Sequence, residues 1–293
     1  MTSLLQTAVD ALSLGALYAL IALGIALIFG VMQLVNFAHG EIIMVGGYVL
    51  WALAGAPLAV ALFAAVAMTA AIGLSMERVA FRPVRGADAT TLLVTSFALS
   101  FLLQNGALVL FGGRTKAVDI SPTVTESVTI GDVRITKLAI ITTVTTFCLL
   151  AALVAFLRRT SIGLQMRGAA EDFVMAQLVG VRSDTVVAWA FALSGILAGV
   201  VACLYVAQTG TVGPAMGLTP VIIGVVATVI GGLGSLVGAV LGAYVLGSLT
   251  IVLQAYLPLS LARYRDAFLY LLVIGILLVR PQGLVRGAQP KRV

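Results

Sequence analysis

"ALSLGALYALIALGIALIFG", residues 11–30, holds neither a charge nor a proline. An α-helix needs about 20 apolar residues to cross a hydrocarbon core. The run is continuous and does not alternate with period two. A helix, and not a strand of a closed barrel, is therefore what satisfies its backbone in lipid. The preceding "MTSLLQTAVD" has no Lys or Arg, and the apolar stretch is too long for a signal-peptide core. It reads as a first spanning helix.

Working outward, similar runs fill the chain. Hydrophobic residues make up 61% of it and charged residues 10%, against roughly a quarter charged in soluble domains. Spans are expected near 10–30, 37–55, 57–77, 90–111, 138–157, 185–207, 219–233, 235–256 and 264–280. Those near 37–55 and 219–233 are glycine-rich or broken by polar residues, so they are candidates for interrupted or re-entrant segments. The fold expected is all-α, a polytopic membrane bundle with about eight to ten crossings. It forms a single transmembrane domain over residues 1–293. Cys148 and Cys203 each sit inside an apolar span and act there as small hydrophobes, not as a disulfide or a metal pair.

Basic residues fix the orientation. Arg78, Arg82 and Arg85, then Arg158, Arg159, Arg167 and Arg182, then Arg280, Arg286, Lys291 and Arg292 make up the larger share of the 17 Lys and Arg. Their loops are assigned to the cytoplasm, with the N-terminus outside. The loop near 112–137 then faces outward, where Asp119, Glu126 and Asp132 roughly balance Arg114, Lys116, Arg134 and Lys137. The net charge of +6 follows this loop pattern and does not point to nucleic acid.

Three polar or small-residue clusters carry the functional question. "NFAHGE" (36–41) puts Asn36, the chain's only histidine His39, and Glu41 between two spans. The orientation places it at the cytoplasmic end of the first helix. Its plain reading is a cap, with Asn36 or His39 satisfying free backbone groups and Glu41 complementing a helix dipole. The alternative is a gate or polar path lining. The cytoplasmic loop near 158–184 has helical spacing at Met166, Ala169, Ala170, Phe173 and Val174. It is either a helix lying on lipid headgroups or one docking into a groove on a partner. Its candidate coupling residues are Gly168, Ala169, Ala170, Asp172, Phe173, Ala176 and Gly180. In "GGLGSLVGAVLGAYVLG" (231–247), Gly234, Gly238 and Gly242 recur every fourth residue, the small-xxx-small pattern of close helix packing in lipid.

ATP hydrolysis is not expected of this chain. A phosphate-binding loop needs Gly-Lys before Ser or Thr, and none of Lys116, Lys137 and Lys291 follows a glycine. No cofactor or metal set is expected either. The blocks 10–55 and 185–235 each hold a long helix, a joint and a short glycine-rich segment, in opposite orientations, as inverted transporter repeats do.

The stretches "NFAHGEIIMVGGY" (36–48), "ERVAFRPVRGAD" (77–88), "GLQMRGAAEDFVMAQLVGV" (163–181), "GGLGSLVGAVLGA" (231–243) and "RDAFLYLLVIGILLVRPQGL" (265–284), in that order, resemble the H-type permease subunit of branched-chain amino acid ABC importers. Related permeases carry urea or short amides. One departure is "GLTPVIIGVV", which has Pro220 and lacks a lysine-aromatic pair. The resemblance implies a multi-pass inner-membrane protein with a second permease subunit, two cytoplasmic ATP-binding subunits and a periplasmic solute-binding protein as partners. It also implies that the 163–181 segment couples to the ATPases. The rival readings are an ion-gradient secondary transporter, which would need acids near mid-membrane, and a passive channel.

Overall fold

The computed structural model describes residues 2–119, 126–130, 133–258 and 260–285. Asp132, Arg286, Lys291 and Arg292, used above for orientation, lie outside them. Among the described residues eleven main helices follow one another: α1 (Thr2–Met32), α2 (His39–Ala52), α3 (Leu58–Met76), α4 (Ala89–Phe111), α5 (Lys137–Arg159), α6 (Ser161–Glu171), α7 (Phe173–Leu178), α8 (Ser183–Thr209), α9 (Leu218–Gly231), α10 (Leu236–Tyr256) and α11 (Arg265–Val279). A π turn (Glu77–Phe81) and a last helical turn (Arg82–Val84) extend α3. Four short strands lie outside the bundle: β1 (Lys116–Ala117), β2 (Ser127–Ile130), β3 (Val133–Thr136) and β4 (Thr211–Val212).

Six of these helices are long and apolar enough to cross a membrane: α1, α3 with its extension, α4, α5, α8 and α10. Burial separates them. In the most apolar stretch of α1, 78% of residues are buried inside the protein, against 22% for α3, α4 and α5. A helix that is apolar all round belongs in the core, and every residue from Gly15 to Ile28 of α1 is buried. The sparsely covered α3, α4 and α5 present Phe63, Phe101, Leu110 and Phe147 outward, as a lipid-facing shell does.

Contacts between ends fix which side each helix starts on. Gln6 near the start of α1 bonds the backbone of Arg134 in β3, and β1 pairs with β4, joining the ends of α4 and α8. Those ends share one side of the bundle, the one that the charge pattern assigns outward. On the opposite side, Arg82 and Arg85 meet Asp184 at the start of α8, and Val285, beyond α11, bonds Gly231 at the end of α9.

The two segments flagged as interrupted are indeed short. Both α2 and α9 have 14 residues, about 21 Å of helix, less than a hydrocarbon core. Each is preceded by a non-helical connection with a turn in it, 33–38 before α2 and 210–217 before α9. The α11 helix, where a ninth span was expected, has 15 residues, one more than α2 and α9. Pro220, the departure noted above, falls in the first turn of α9, where its missing N–H costs no helical bond.

The packing is that of an inverted pair. One unit is α1–α2–α3 and the other α8–α9–α10. The α1 helix lies against α8, α9 and α10, while α8 lies against α1, α2 and α3. The starts of α2 and α9 meet at Gly40 and Gly217. A Cβ on Gly217 would stand 2.5 Å from the Gly40 carbonyl oxygen, and one on Gly40 would strike Gly217 in turn. Only glycine permits that approach.

Candidate functional site

The stretch "NFAHGE" is not at the inner end of the first helix. Beyond α1 the chain turns at Gln33, whose φ of +54° is the left-handed value common just past helix ends. Residues 33–38 then climb back into the bundle, and α2 begins at half depth. Two partners fix that depth. His39 Nδ1 lies 3.0 Å from Ser194 Oγ, near the middle of α8, and Ser100, near the middle of α4, donates to Glu41 Oε1 at 3.2 Å. Asn36, His39 and Glu41 are all fully buried. The expectation of a joint at the cytoplasmic end of the first helix is therefore corrected, because His39 and Glu41 sit at a depth where ionisable groups are expensive.

Asn36 does part of what a cap does. Its Oδ1 accepts from Ala38 N at 3.1 Å, a local turn, although the N-cap position of α2 itself is Ala38. Ser194 gives its hydroxyl proton to the Gly24 carbonyl at 3.0 Å. It therefore accepts from Nδ1–H of His39, and Nε2 is left as a bare acceptor. Gly24 makes room for the ring, since a Cβ there would stand 2.6 Å from it. Among the described residues, Asn36 Nδ2, His39 Nε2 and Glu41 Oε2 have no hydrogen-bond partner. Buried polar groups are ordinarily paired, so these three atoms are where a further bonding partner would go. Phe37 stacks on Phe97 of α4 at 4.3 Å between centroids. The α4 helix, resting on α2 and the π turn, is the cover over Glu41.

The expected cytoplasmic helix is two helices. Thr160 caps α6 by accepting from Gly163 N, and Asp172 breaks the run and caps α7 by accepting from Met175 N at 2.9 Å. Gly180, at φ +91°, ends α7 with paired bonds from Gly180 N to Gln177 O and from Val181 N to Ala176 O, a Schellman motif. The candidate coupling residues divide between two faces. Ala169 and Ala176, with Met166, are buried against the bundle, and Ala170 and Phe173 are half-buried. Gly168, Asp172 and Gly180 face outward. The outward apolar surface is a different set: Leu164, Val174, Met175, Leu178 and Val179, each at least 60% exposed. Of the apolar stripe expected to dock, only Val174 points away from the bundle.

The glycine ladder also needs correcting. Gly234 lies before α10 in a turn, at φ +86°, and shares no helical face with the others. Gly238 and Gly242 do face a neighbour. A Cβ on either would strike the α9 backbone, at Gly231 and Ala227 respectively.

Several residues went unseen in the sequence. Ser100 and Ser194 sit in apolar runs, where a serine reads as a neutral small residue. The end of α3 and the start of α8 are tied by Arg85 to Glu77, and by Arg82 and Arg85 to Asp184, with Arg85 Nη1 to Asp184 Oδ1 at 2.7 Å. The charges were visible, but their pairing across about a hundred residues of sequence was not.

Comparison with known proteins agrees with this arrangement. Residues 7–277 match the family described as branched-chain amino acid transport system, permease component. The chain is 33% identical to the high-affinity branched-chain amino acid transport system permease protein BraD of Pseudomonas aeruginosa, covering 99% of this chain and 98% of that protein. It is 31% identical to the permease protein LivH of Escherichia coli K12, covering 99% and 97%. A probable LivH of Methanocaldococcus jannaschii is 27% identical over 92% and 88%. No solved structure matches. A bundle of membrane-crossing helices with two short helices meeting at half depth is thus the form this sequence takes, and the chain belongs to the family of permease components of branched-chain amino acid transport systems.

Proposed function

We propose that this permease is half of an import path for branched-chain amino acids or a similar small zwitterion, driven by separate ATP-binding subunits. A second permease subunit completes the path and a periplasmic solute-binding protein delivers the solute. The observation that carries this reading is the α6–α7 pair. It is held to the bundle by Met166, Ala169 and Ala176, and presents Leu164, Val174, Met175, Leu178 and Val179 outward. An apolar helical surface of this kind fits a groove on a protein partner. Motion of that partner enters through α6 and α7 and rocks the helices they touch, α1, α5 and α8.

The polar station on the path is the α2 joint. A zwitterion crossing lipid needs an acceptor for its ammonium group, and Glu41 Oε2 is unoccupied by any described residue. Outward movement of α4 takes Ser100 and Phe97 with it and uncovers that oxygen. An acid near mid-membrane is what a gradient-driven transporter would need. Glu41 is in the first turn of a helix and also at half depth. Family membership favours the ATP-driven reading instead.

The test is reconstitution with the partner subunits. Labelled leucine uptake should require both ATP and the binding protein. Gly168→Trp should abolish it while the chain still inserts and melts normally, because Gly168 is exposed and a Cβ there meets nothing within 4 Å in this chain. Uptake at the normal rate in that variant, or uptake without ATP, rules the reading out.

A further inference from the structure

A cavity of about 380 Å³ opens on the inner side between the end of α1, α5, α6 and the turn that starts α10. Its size is near the lower end of small-molecule sites. The floor is aliphatic, formed by Leu27, Leu157 and Leu236, and Gly30 leaves one wall bare. At the mouth stand Arg167 and Glu171, one helical turn apart on α6, so they share a face. Both are exposed, and neither is in an ion pair among the described residues. One free cation, one free anion and an aliphatic floor together match a small molecule that carries an ammonium and a carboxylate on one carbon and a branched apolar side chain. An anion or a cation alone would meet one repelling charge at the mouth.

We propose that this cavity binds, from the cytoplasmic side, an aliphatic α-amino acid of the kind the complex releases, and that its occupancy slows import. The carboxylate lies on Arg167, the ammonium on Glu171, and the side chain enters between Leu27 and Leu157. The position explains the effect on import. The α6 helix is one wall and α1 the other, so a ligand between them holds the docking helix against the central helix of the bundle. The inference rests on the function proposed above and assigns a site separate from the α2 joint. An ethanolamine lipid headgroup carries the same pair of charges, and the experiment distinguishes the two sources.

The assembled permease–ATPase complex, without its binding protein, is placed in nanodiscs of phosphatidylcholine and phosphatidylglycerol and titrated with labelled L-leucine. Saturable binding is expected, competed by L-valine. Arg167→Gln and Glu171→Gln should each weaken it about tenfold, the loss of one charge-assisted hydrogen bond. Gly30→Leu should remove it, because a Cβ at Gly30 meets nothing within 4 Å and a side chain there occupies the cavity without displacing backbone. In proteoliposomes with the binding protein, preloaded internal leucine should lower initial uptake severalfold in the parent complex and leave the Gly30→Leu complex unaffected. Uptake by that variant from outside also certifies its fold. Binding indifferent to all three substitutions, or uptake insensitive to internal leucine, overturns the proposal. So does an ethanolamine lipid that co-purifies with the parent chain and is lost from Gly30→Leu. ATP-driven uptake without leucine binding in the cavity removes only this assignment. Absence of uptake altogether removes the reading beneath it.

Discussion

The joint before α2 and the joint before α9 follow the same backbone plan with different side chains. The first leaves α1 at Gln33 with φ +54° and reaches the crossing glycine at Gly40; the second leaves α8 at Gly210 with φ +67° and reaches its own at Gly217, at the same spacing. In that register Asn36 corresponds to Gly213, His39 to Met216 and Glu41 to Leu218. The second joint therefore builds a half-depth helix start with no ionisable group at all. Architecture requires the glycines and the left-handed turns. It does not require an ionisable group at that depth, and His39 and Glu41 are the side chains that the proposed function uses there.

The strongest way to break this comparison is to attack what the joints share. Gly40→Val and Gly217→Val each force a side chain onto the other joint's backbone, and each should cost about 3 kcal/mol or prevent folding. Thermal melting in detergent checks it, and a tolerated valine at either position would remove the equivalence. Next comes what they do not share. His39→Ala opens a void beside Gly24 and leaves Ser194 with one bond fewer, for an expected loss of about 2 kcal/mol. Met216→Ala at the equivalent place should lose less than half as much, since no buried hydrogen bond goes with it. Equal losses would mean that His39 is ordinary filling. Ser194→Ala should cost about 0.6 kcal/mol, the usual worth of one hydrogen bond between membrane helices, and no change would show that its bond to His39 is not made. The smallest effect has the opposite sign. Gln33→Gly should stabilise by about 1 kcal/mol, because a left-handed turn that Gly210 adopts freely strains a residue with a Cβ. A melting point lowered by the glycine would mean that the Gln33 side chain is needed.

The spans were legible because hydrocarbon thickness dictates their length, and the glycine-rich interruptions correctly marked the two short helices. Depth was not legible. Residues 33–38 are too few and too mixed for hydropathy to tell a chain leaving the membrane from one turning back into it, so "NFAHGE" read as an inner-end joint. Its partners Ser100 and Ser194 lie in apolar runs and carry no charge to announce them. Periodicity found a helical cytoplasmic segment but chose the wrong outward face, because α7 is apolar nearly all round and only contact with α6 and the bundle decides which side is covered. Gly234 shows the same limit. Spacing of four implies a shared face only where the helix has already begun, and α10 begins at Leu236.

Initial rates of ATP-driven leucine uptake by complexes carrying Glu41→Gln and, separately, Leu218→Gln test the division between the joints most directly. Glu41→Gln removes the charge and keeps the shape, so uptake should fall at least about tenfold with the melting point within a degree or two of the parent. Leu218→Gln should leave uptake within about twofold. Equal rates for Glu41→Gln and the parent complex would contradict the account.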